Sequence, residues 1–308
     1  MKEFDLIALL TGALPQNDRV VVGAGDDCAV LDLGIPDELV LFKTDAVVEG
    51  VHFTSETAPQ LIGRKAIARA LSDIAAMAGK PVAALVTLAL PGKFSADHVA
   101  QIYEGLKACA AQFGVAIVGG ETTTNPGRIL ISISLLGTVG RGKQVLRSGA
   151  KVGDAIFVTG ELGGSLAGRH LDFEPRLAEG RWLADHFKIH AMMDVSDGVA
   201  GDLRHILRAS QVGAELLKSA IPISRAAKLQ ARQNLKPPVI AALTDGEDFE
   251  LLFTVASRSA VRLLDAWKQQ FPKLRLSCIG KIVAGQDILL RDPYGVQKID
   301  AHGYHHFA

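Results

Sequence analysis

Apolar residues along the chain fall into two rhythms. Short runs of strand type recur in the first half: Val20–Val22, Leu39–Lys43, Val82–Leu90, Ala116–Val118 and Ile129–Val139. The last alternates in part, with Ser132 and Ser134 set among isoleucines, as a half-buried strand does. Between these runs the period lengthens to that of a helix. Over Ile62–Ala78 it aligns Ile67, Leu71, Ile74 and Met77 on one stripe, and over Ala96–Phe113 it aligns Val99, Ile102, Leu106 and Cys109. The opening MKEFDLIALLTG, with acids at Glu3 and Asp5, reads as a short amphipathic helix and not as a secretory signal.

The glycine-rich, basic stretch GRGKQVLRSGAKVGD, from Gly140 to Asp154, breaks this pattern and is the best domain boundary. It divides the chain into an α+β unit over 1–140, a linker over 141–152 and an α/β unit over 153–308. In the second unit AIFVTG reads as a strand and GGSLAGRHL as the opening of a helix. Met192–Val195 is a short strand and Val199–Ser210 a helix. Phe249–Val255, Ala260–Phe271 and Leu276–Ile282 follow as strand, helix and strand.

Composition narrows the class. Thirty-three lysines and arginines balance 33 aspartates and glutamates over 308 residues, which argues against a nucleic-acid binder working by bulk charge. The three cysteines, Cys28, Cys109 and Cys278, are far apart and have no metal spacing; they read as small buried hydrophobes in a reducing cytoplasm. The run Val82–Pro91 is too short to span a bilayer, so no membrane partner is expected.

Two segments imitate phosphate loops. GAGDDC, Gly23–Cys28, begins like a dinucleotide fingerprint but lacks the third glycine and turns two carboxylates toward where a pyrophosphate would lie. GGSLAGRH, Gly163–His170, resembles a Walker loop but has Arg169 and His170 in place of lysine and hydroxyl. A tight turn is the better reading, with a nucleotide still possible near its amides.

Acids at the ends of apolar runs form a stronger pattern: Asp27, Asp45, Glu121, Asp194, Asp197, Glu247 and Asp248, with Asp73 inside the small-residue helix. Each has a bland reading alone. Asp73 could pair with Arg69 one turn earlier, and Ser196 or Asp197 could cap the helix at Val199. Together they flank glycine turns that could converge, and converging carboxylates need protons or cations. Hard oxygen donors without sulfur or imidazole point to magnesium, which shares its remaining positions with substrate phosphates. Lys43, Arg147 and Lys151 could neutralise a polyphosphate. His52 could contact a phosphate or a ring, or simply end a strand.

The ordered motifs GDDCAVL, KTDAVVEGVHF, ALSDIAAMAGKP, VGGETT, RSGAKVGD, VTGELGGSLAG, DVSDG, GEDFELLFTV, CIGKI and GYHHF closely resemble those of the thiamine-monophosphate kinases, from about Phe4 to Phe307. That family lies in the aminoimidazole ribonucleotide synthetase superfamily of ATP-dependent enzymes. The reactive cysteine of selenophosphate synthetases is missing near the N-terminus. The chain ends GYHHFA, without the cysteine-bearing tail of the hydrogenase-maturation dehydratases.

The resemblance implies an aminoimidazole ribonucleotide synthetase-like fold. Its N-terminal sheet would pair with that of a second subunit in a homodimeric barrel, and its C-terminal α/β domain would close over the cleft. It implies transfer of a phosphoryl group from ATP to thiamine monophosphate, with several magnesium ions. Carried over by position, Asp27, Thr44, Asp45, Asp73, Glu121, Asp194 and Asp197 would be metal ligands. Tyr103, Gly120, Glu121, Arg147 and Ser196 would face the nucleotide, and His52, Glu247 and Tyr304 the thiamine phosphate. Asp26 would turn away from the metal, to an amide or to a base such as Arg147. Three positions depart from the family: Glu121 replaces an aspartate, Lys43 stands where relatives often carry a small hydroxyl residue, and Asp245 stands where a serine or glycine precedes GED. Another ATP-dependent synthetase of the superfamily, or a non-catalytic binder of thiamine phosphate or nucleotide, are the alternatives.

Overall fold

The computed structural model describes residues 3–234 and 236–299. In the first half, α1 (Glu3–Thr11) precedes β1 (Val20–Val22), β2 (Ala29–Leu31) and β3 (Glu38–Val48). Then come α2 (Pro59–Ala76), β4 (Lys80–Leu90), α3 (Ala96–Gln112), β5 (Ala116–Thr124) and β6 (Leu130–Gly140). The strands form one sheet in the order β1-β2-β3-β6-β4-β5. Its spine is the antiparallel pair β3/β6, in register from Glu38↔Gly140 to Val48↔Leu130. Alternation sorts β3 by face: Leu39 and Leu41 are buried beneath the helices, and Phe42 and Thr44 are exposed on the other side.

The second half runs β7 (Asp154–Thr159), α4 (Leu177–His186), β8 (Ile189–Asp194), α5 (Val199–Ser210), β9 (Gly213–Leu217), α6 (Arg225–Asn234) and α7 (Pro238–Thr244). It ends with β10 (Leu251–Ala256), α8 (Ala260–Gln270), β11 (Leu276–Val283), β12 (Ile288–Asp292) and β13 (Gly295–Lys298). Its sheet has the order β13-β12-β9-β11-β7-β10-β8. One face carries Phe157 and Phe253, stacked at 5.5 Å, and joins the core of the first half. The opposite face, with Ile156, Val158 and Leu252, packs with residues of α5 and α7.

Helix α2 joins the two halves. It contacts β3 and α3 on one side and α4 and β8 on the other, so thirteen of its eighteen residues are buried. A helix enclosed this way has to be thin, which is why its sequence is rich in alanine. Glycines let its neighbours touch its backbone. A Cβ on Gly63 would lie 1.8 Å from the Ile102 carbonyl oxygen of α3, one on Gly105 1.9 Å from that of Gln60, and one on Gly180 of α4 2.2 Å from that of Ala75. One core therefore runs from Leu41 through Ile74 and Leu183 to Phe253. Among the described residues no helix is long and apolar enough to cross a membrane.

Three local expectations are corrected. GGSLAGRHL does not open an α-helix; it makes two 3₁₀ turns, Ser165–Ala167 and Arg169–Leu171. Gly163, Gly164 and Gly168, at φ +80°, +69° and +138°, break the helical path around them. Strands β3 and β5 run on to Val48 and Thr124, well past Lys43 and Val118. Ladder pairing with β6 and β4 carries them through polar residues that show no apolar alternation. Neither Ser196 nor Asp197 caps α5: Gly198 holds the cap position without a side-chain bond, and the Asp197 amide donates to Asp202 Oδ2 at 3.1 Å.

Candidate active site

Three carboxylates from three separate elements meet where the halves join. Asp27 ends the glycine loop between β1 and β2, Asp73 lies on the buried part of α2, and Asp194 is the last residue of β8. All three are buried, with one oxygen of each within 4.8 Å of the others. Gly25, at φ +125°, gives the loop its turn. The adjacent acids then diverge. Asp26 accepts the backbone N–H groups of Asp27 (3.0 Å) and Arg147 (3.1 Å). Burial and the charge of Asp27 push its carboxyl up to about 6.

Asp27 Oδ1 receives the Arg147 guanidinium, Nη2 at 2.5 Å and Nε at 3.2 Å. Its other oxygen, Oδ2, is buried and has no hydrogen-bond partner among the described residues. Lys43 Nζ lies 2.9 Å from Asp73, and the Ser72 hydroxyl donates to Asp194 at 2.6 Å. Burial, followed by the charge of Asp27, pushes Asp194 up to about 7. Burial likewise raises Asp73 against the pull of Lys43. A buried acid with an unpartnered oxygen, set among donors that are all oxygen, is a hard site that fits magnesium. The bland reading of Asp73, a pair with Arg69 one turn earlier, is not what forms. Lys43 takes Asp73 from the face of β3 beneath α2, and Arg69 Nε lies 3.3 Å from Asp45.

Beside this group a cavity of about 100 Å³ opens between the halves, lined among others by His52, Arg69, Ser196, Asp197, Glu247 and Phe249. Lys65 of α2 lies under it, fully buried; its ammonium donates to two acceptors and lies close to a ring nitrogen that itself donates to Glu247. The acceptors are the His52 carbonyl (2.6 Å) and Glu247 Oε2 (2.6 Å), and the ring nitrogen is His170 Nδ1 (2.7 Å), which lies 3.0 Å from Glu247 Oε2. Burial pulls Lys65 down to about 8. Burial also acts to raise Glu247, but the His170 hydrogen bond and the Lys65 charge outweigh it and hold the carboxyl at about 2. His52 Nδ1 accepts the Val48 N–H at 3.0 Å, which fixes the ring's orientation and leaves its proton on Nε2.

The turn that presents Glu247 is strained: Glu247 and Phe249 have φ of +64° and +51° without being glycines. Such residues cost on the order of 1–3 kcal/mol each and persist where their surroundings over-determine them. Here Arg169 and Arg176 grip Glu250, and Arg169 also grips Asp248. The Gly163 and Gly164 amides donate to Asp248 and Asp245, at 2.8 and 3.1 Å. The Walker-like amides are thus taken by carboxylates of this turn.

The remaining sequence candidates are spread more widely. Thr44 and Glu121 project from the outer face of the first sheet, opposite to Lys43 and Asp45. Thr44 lies 3.4 Å from the Ser132 hydroxyl, and Glu121 pairs across from Thr87 and is exposed. Gly120 on β5 fits only as glycine, since a Cβ would lie 1.8 Å from the Val86 carbonyl oxygen. Tyr103 is half-buried on α3, which packs on β5. Tyr304 lies outside the described residues. Sequence reasoning overlooked Lys65, Arg69, Ser72, His170 and Asp202 as site residues. The first two had a signal: Lys65, Arg69 and Asp73 recur every four residues, a charged stripe on an otherwise small and apolar helix.

Residues 25–139 match the family model for the N-terminal domain of AIR synthase related proteins, and residues 169–291 the one for the C-terminal domain. The thiamine-monophosphate kinase of Rhodopirellula baltica is 43% identical over 288 residues, covering 91% of this chain and 89% of that protein. The chain belongs to the thiamine-monophosphate kinase family. The Bacillus subtilis family member is 35% identical over 337 aligned residues, covering 100% of both chains. A solved structure described as AaThiL complexed with AMPPCP and TMP superposes with a TM-score of 0.84 at 30% identity, covering 99% of this chain and 97% of that one. The aminoimidazole ribonucleotide synthetase-like α/β fold of this kinase-family chain agrees with the expectation from its motifs.

Proposed function

We propose that the protein transfers the γ-phosphoryl group of ATP to the phosphate of thiamine monophosphate, in line and with magnesium, giving thiamine diphosphate and ADP. The observation that carries this reading is the adjacency of two unlike sites. A buried carboxylate group with an unpartnered oxygen on Asp27 lies next to a cavity bounded by His52 and Glu247. A relative of 30% identity described as complexed with AMPPCP and TMP, an ATP analogue and thiamine monophosphate, supports a protein that takes both kinds of ligand.

An acceptor phosphate oxygen bonds to the γ-phosphorus while the bond to the bridging β–γ oxygen breaks, and ADP leaves with that electron pair. The acceptor is already anionic near neutral pH, so the protein has to supply position and charge compensation more than a base. Magnesium, held by Asp27, Asp73 and Asp194 with Asp45 and Asp197 nearby, would neutralise the polyphosphate and act as template. Arg147 is then free to leave Asp27 for the nucleotide, alongside Ser196, Tyr103 and Gly120. Glu247, kept ionised by Lys65 and His170, suits the cationic thiazolium of the acceptor. Phe249, fixed by stacking on Phe173 at 4.0 Å, offers that ring an apolar face. The cavity is smaller than the roughly 300 Å³ or more of an ordinary ligand pocket, so acceptor entry widens it.

A homodimer completes the proposal. The outer face of the first sheet exposes Phe42, Leu85, Val118 and Leu136, a patch that suits a second copy, and Thr44 and Glu121 share that face. Light scattering on the purified chain tests it, with Leu136→Asp expected to yield monomer. For the reaction, ADP release with thiamine monophosphate is compared with release on free thiamine and on other phosphate acceptors, with and without magnesium. Magnesium-dependent ADP and thiamine diphosphate are expected with the first alone. ADP and free phosphate with no phosphorylated thiamine would instead favour a synthetase, and binding without ADP a non-catalytic protein.

A further inference from the structure

Arg69 has no role in the reaction as described so far, yet its position is specific. It stands one helical turn from Lys65 and one from Asp73 on α2, between the Glu247 pair and the carboxylate group. Its side chain is 14% exposed and lines the cavity. What holds it is weak. Nε lies 3.3 Å from Asp45 Oδ2 without hydrogen-bond geometry, Nη1 donates to the Ala46 carbonyl at 3.3 Å, and Nη2 donates to none of the described residues. Against its burial, the charges of Asp45, Glu247, Asp73 and Asp194 keep the guanidinium protonated.

The other cations nearby are committed. Lys65 holds the His52 carbonyl and Glu247, Lys43 pairs with Asp73, and Arg147 holds Asp27 until the proposed nucleotide takes it. The cavity wall itself carries two acids, Asp197 and Glu247, and one arginine. A phosphate monoester entering there meets repulsion from both acids and one planar fork of N–H donors whose contacts are long enough to exchange. We infer that Arg69 binds the acceptor's own phosphate, trading its contacts to Asp45 and Ala46 for two parallel hydrogen bonds to phosphoryl oxygens. The cavity then has a polarity matching its substrate class, with Arg69 at the phosphate and Glu247 at the cationic ring. This rests on the proposed acceptor and adds the residue that selects for its phosphate. It also sets the acceptor oxygen on the side of the carboxylate group, where the γ-phosphorus would lie.

Isothermal titration of wild type, Arg69→Gln and Arg69→Lys with thiamine monophosphate, free thiamine and a non-hydrolysable ATP analogue tests the inference. Wild type is expected to prefer the monophosphate over free thiamine. Arg69→Gln is expected to lose that preference by about tenfold or more, with affinities for thiamine and the ATP analogue unchanged, and Arg69→Lys to keep part of it. Equal losses for monophosphate and thiamine, or an unchanged preference in Arg69→Gln, would overturn the inference. Should Arg69→Gln fail to fold, Arg69→Lys decides: a charge without the fork must bind the monophosphate less tightly than wild type. The parent reading fails separately, if wild type forms no thiamine diphosphate.

Discussion

At one end of the cleft Lys65 is fully buried and its ammonium is held by the His52 carbonyl and Glu247; at the other, Asp27 is as deeply buried and one of its oxygens has no partner among the described residues. The Lys65 end draws on four segments, namely α2, the turn after β3, the second 3₁₀ turn and the Glu247 turn. It is complete in the protein alone. The Asp27 end gathers three acids, where burial, followed by the charge of Asp27, pushes Asp194 up to about 7 and Lys43 and Arg147 serve as stand-in countercharges. The first end is preorganised for a ring and its substituents. The second is left short of positive charge, as a site that receives a cation with its ligand has to be.

Removing a carboxylate from the open end should give the largest effect. Asp27→Ala is expected to lower magnesium-dependent turnover at least a thousandfold, about 4 kcal/mol or more in the barrier. Asp26→Ala, which loses only amide contacts, should cost clearly less. Steady-state rates at saturating magnesium compare the two, and equal losses would erase the asymmetry between these neighbours.

Breaking the closed end should cost stability before chemistry. Lys65→Met leaves Glu247 buried beside His170 without its ammonium, and a loss of about 4 kcal/mol in urea unfolding is expected. Adding Glu247→Leu to that variant should recover part of the loss, because the stranded charge is then gone. A double variant no more stable than Lys65→Met would mean that the lysine acts through packing.

The pH dependence follows from the same pair. Glu247 titrates at about 2 in the folded chain and near the ordinary 4.5 when unfolded. Between those values the unfolded state binds the extra proton. The carboxyl's contribution is therefore fully present above about 4.5 and is lost as pH falls toward 2. The difference in stability between wild type and Glu247→Gln should shrink by up to about 3 kcal/mol across that window. A difference that stays flat with pH would place the Glu247 pKa near its ordinary value.

Magnesium should act only on the open end, and more gently. At tenfold excess over its dissociation constant it is expected to stabilise wild type by about 1.4 kcal/mol. Asp73→Asn should lose that gain and Glu247→Gln should keep it, read as shifts in melting temperature. Equal shifts in both variants would place the cation elsewhere.

Much of this architecture could be read from local pattern. The helix over Val199–Ser210 and the strand Val20–Val22 have the bounds that their periodicity suggests, and α2, α3, β4 and β6 fall within a few residues of theirs. Strand β2 is three residues long, β13 shows no apolar alternation, and α6 is mostly polar, so none carried a signal strong enough to name it. Within the site, the acids of the DD, SD and DVSD motifs were legible because carboxylates at strand ends and in a small-residue helix are conspicuous. Lys65 and Arg69 were not singled out, because charges on a helix usually face solvent, and only the second sheet turns this face of α2 inward.

The sequence by itself determined the order of helices and strands, the alanine-rich thinness of α2, the glycines where backbones touch and the stock of oxygen donors. These depend on residue chemistry and on spacings of a few positions. Tertiary structure alone decided which acids meet and which cation serves which acid. Lys65 and Glu247 are 182 positions apart, and Ser72 and Asp194 are 122. Adjacent residues of β3 part company for the same reason. The pleat sends Lys43 and Asp45 under the helices and Thr44 to the outer face, and which face became the inside depended on where α2 and the second sheet packed.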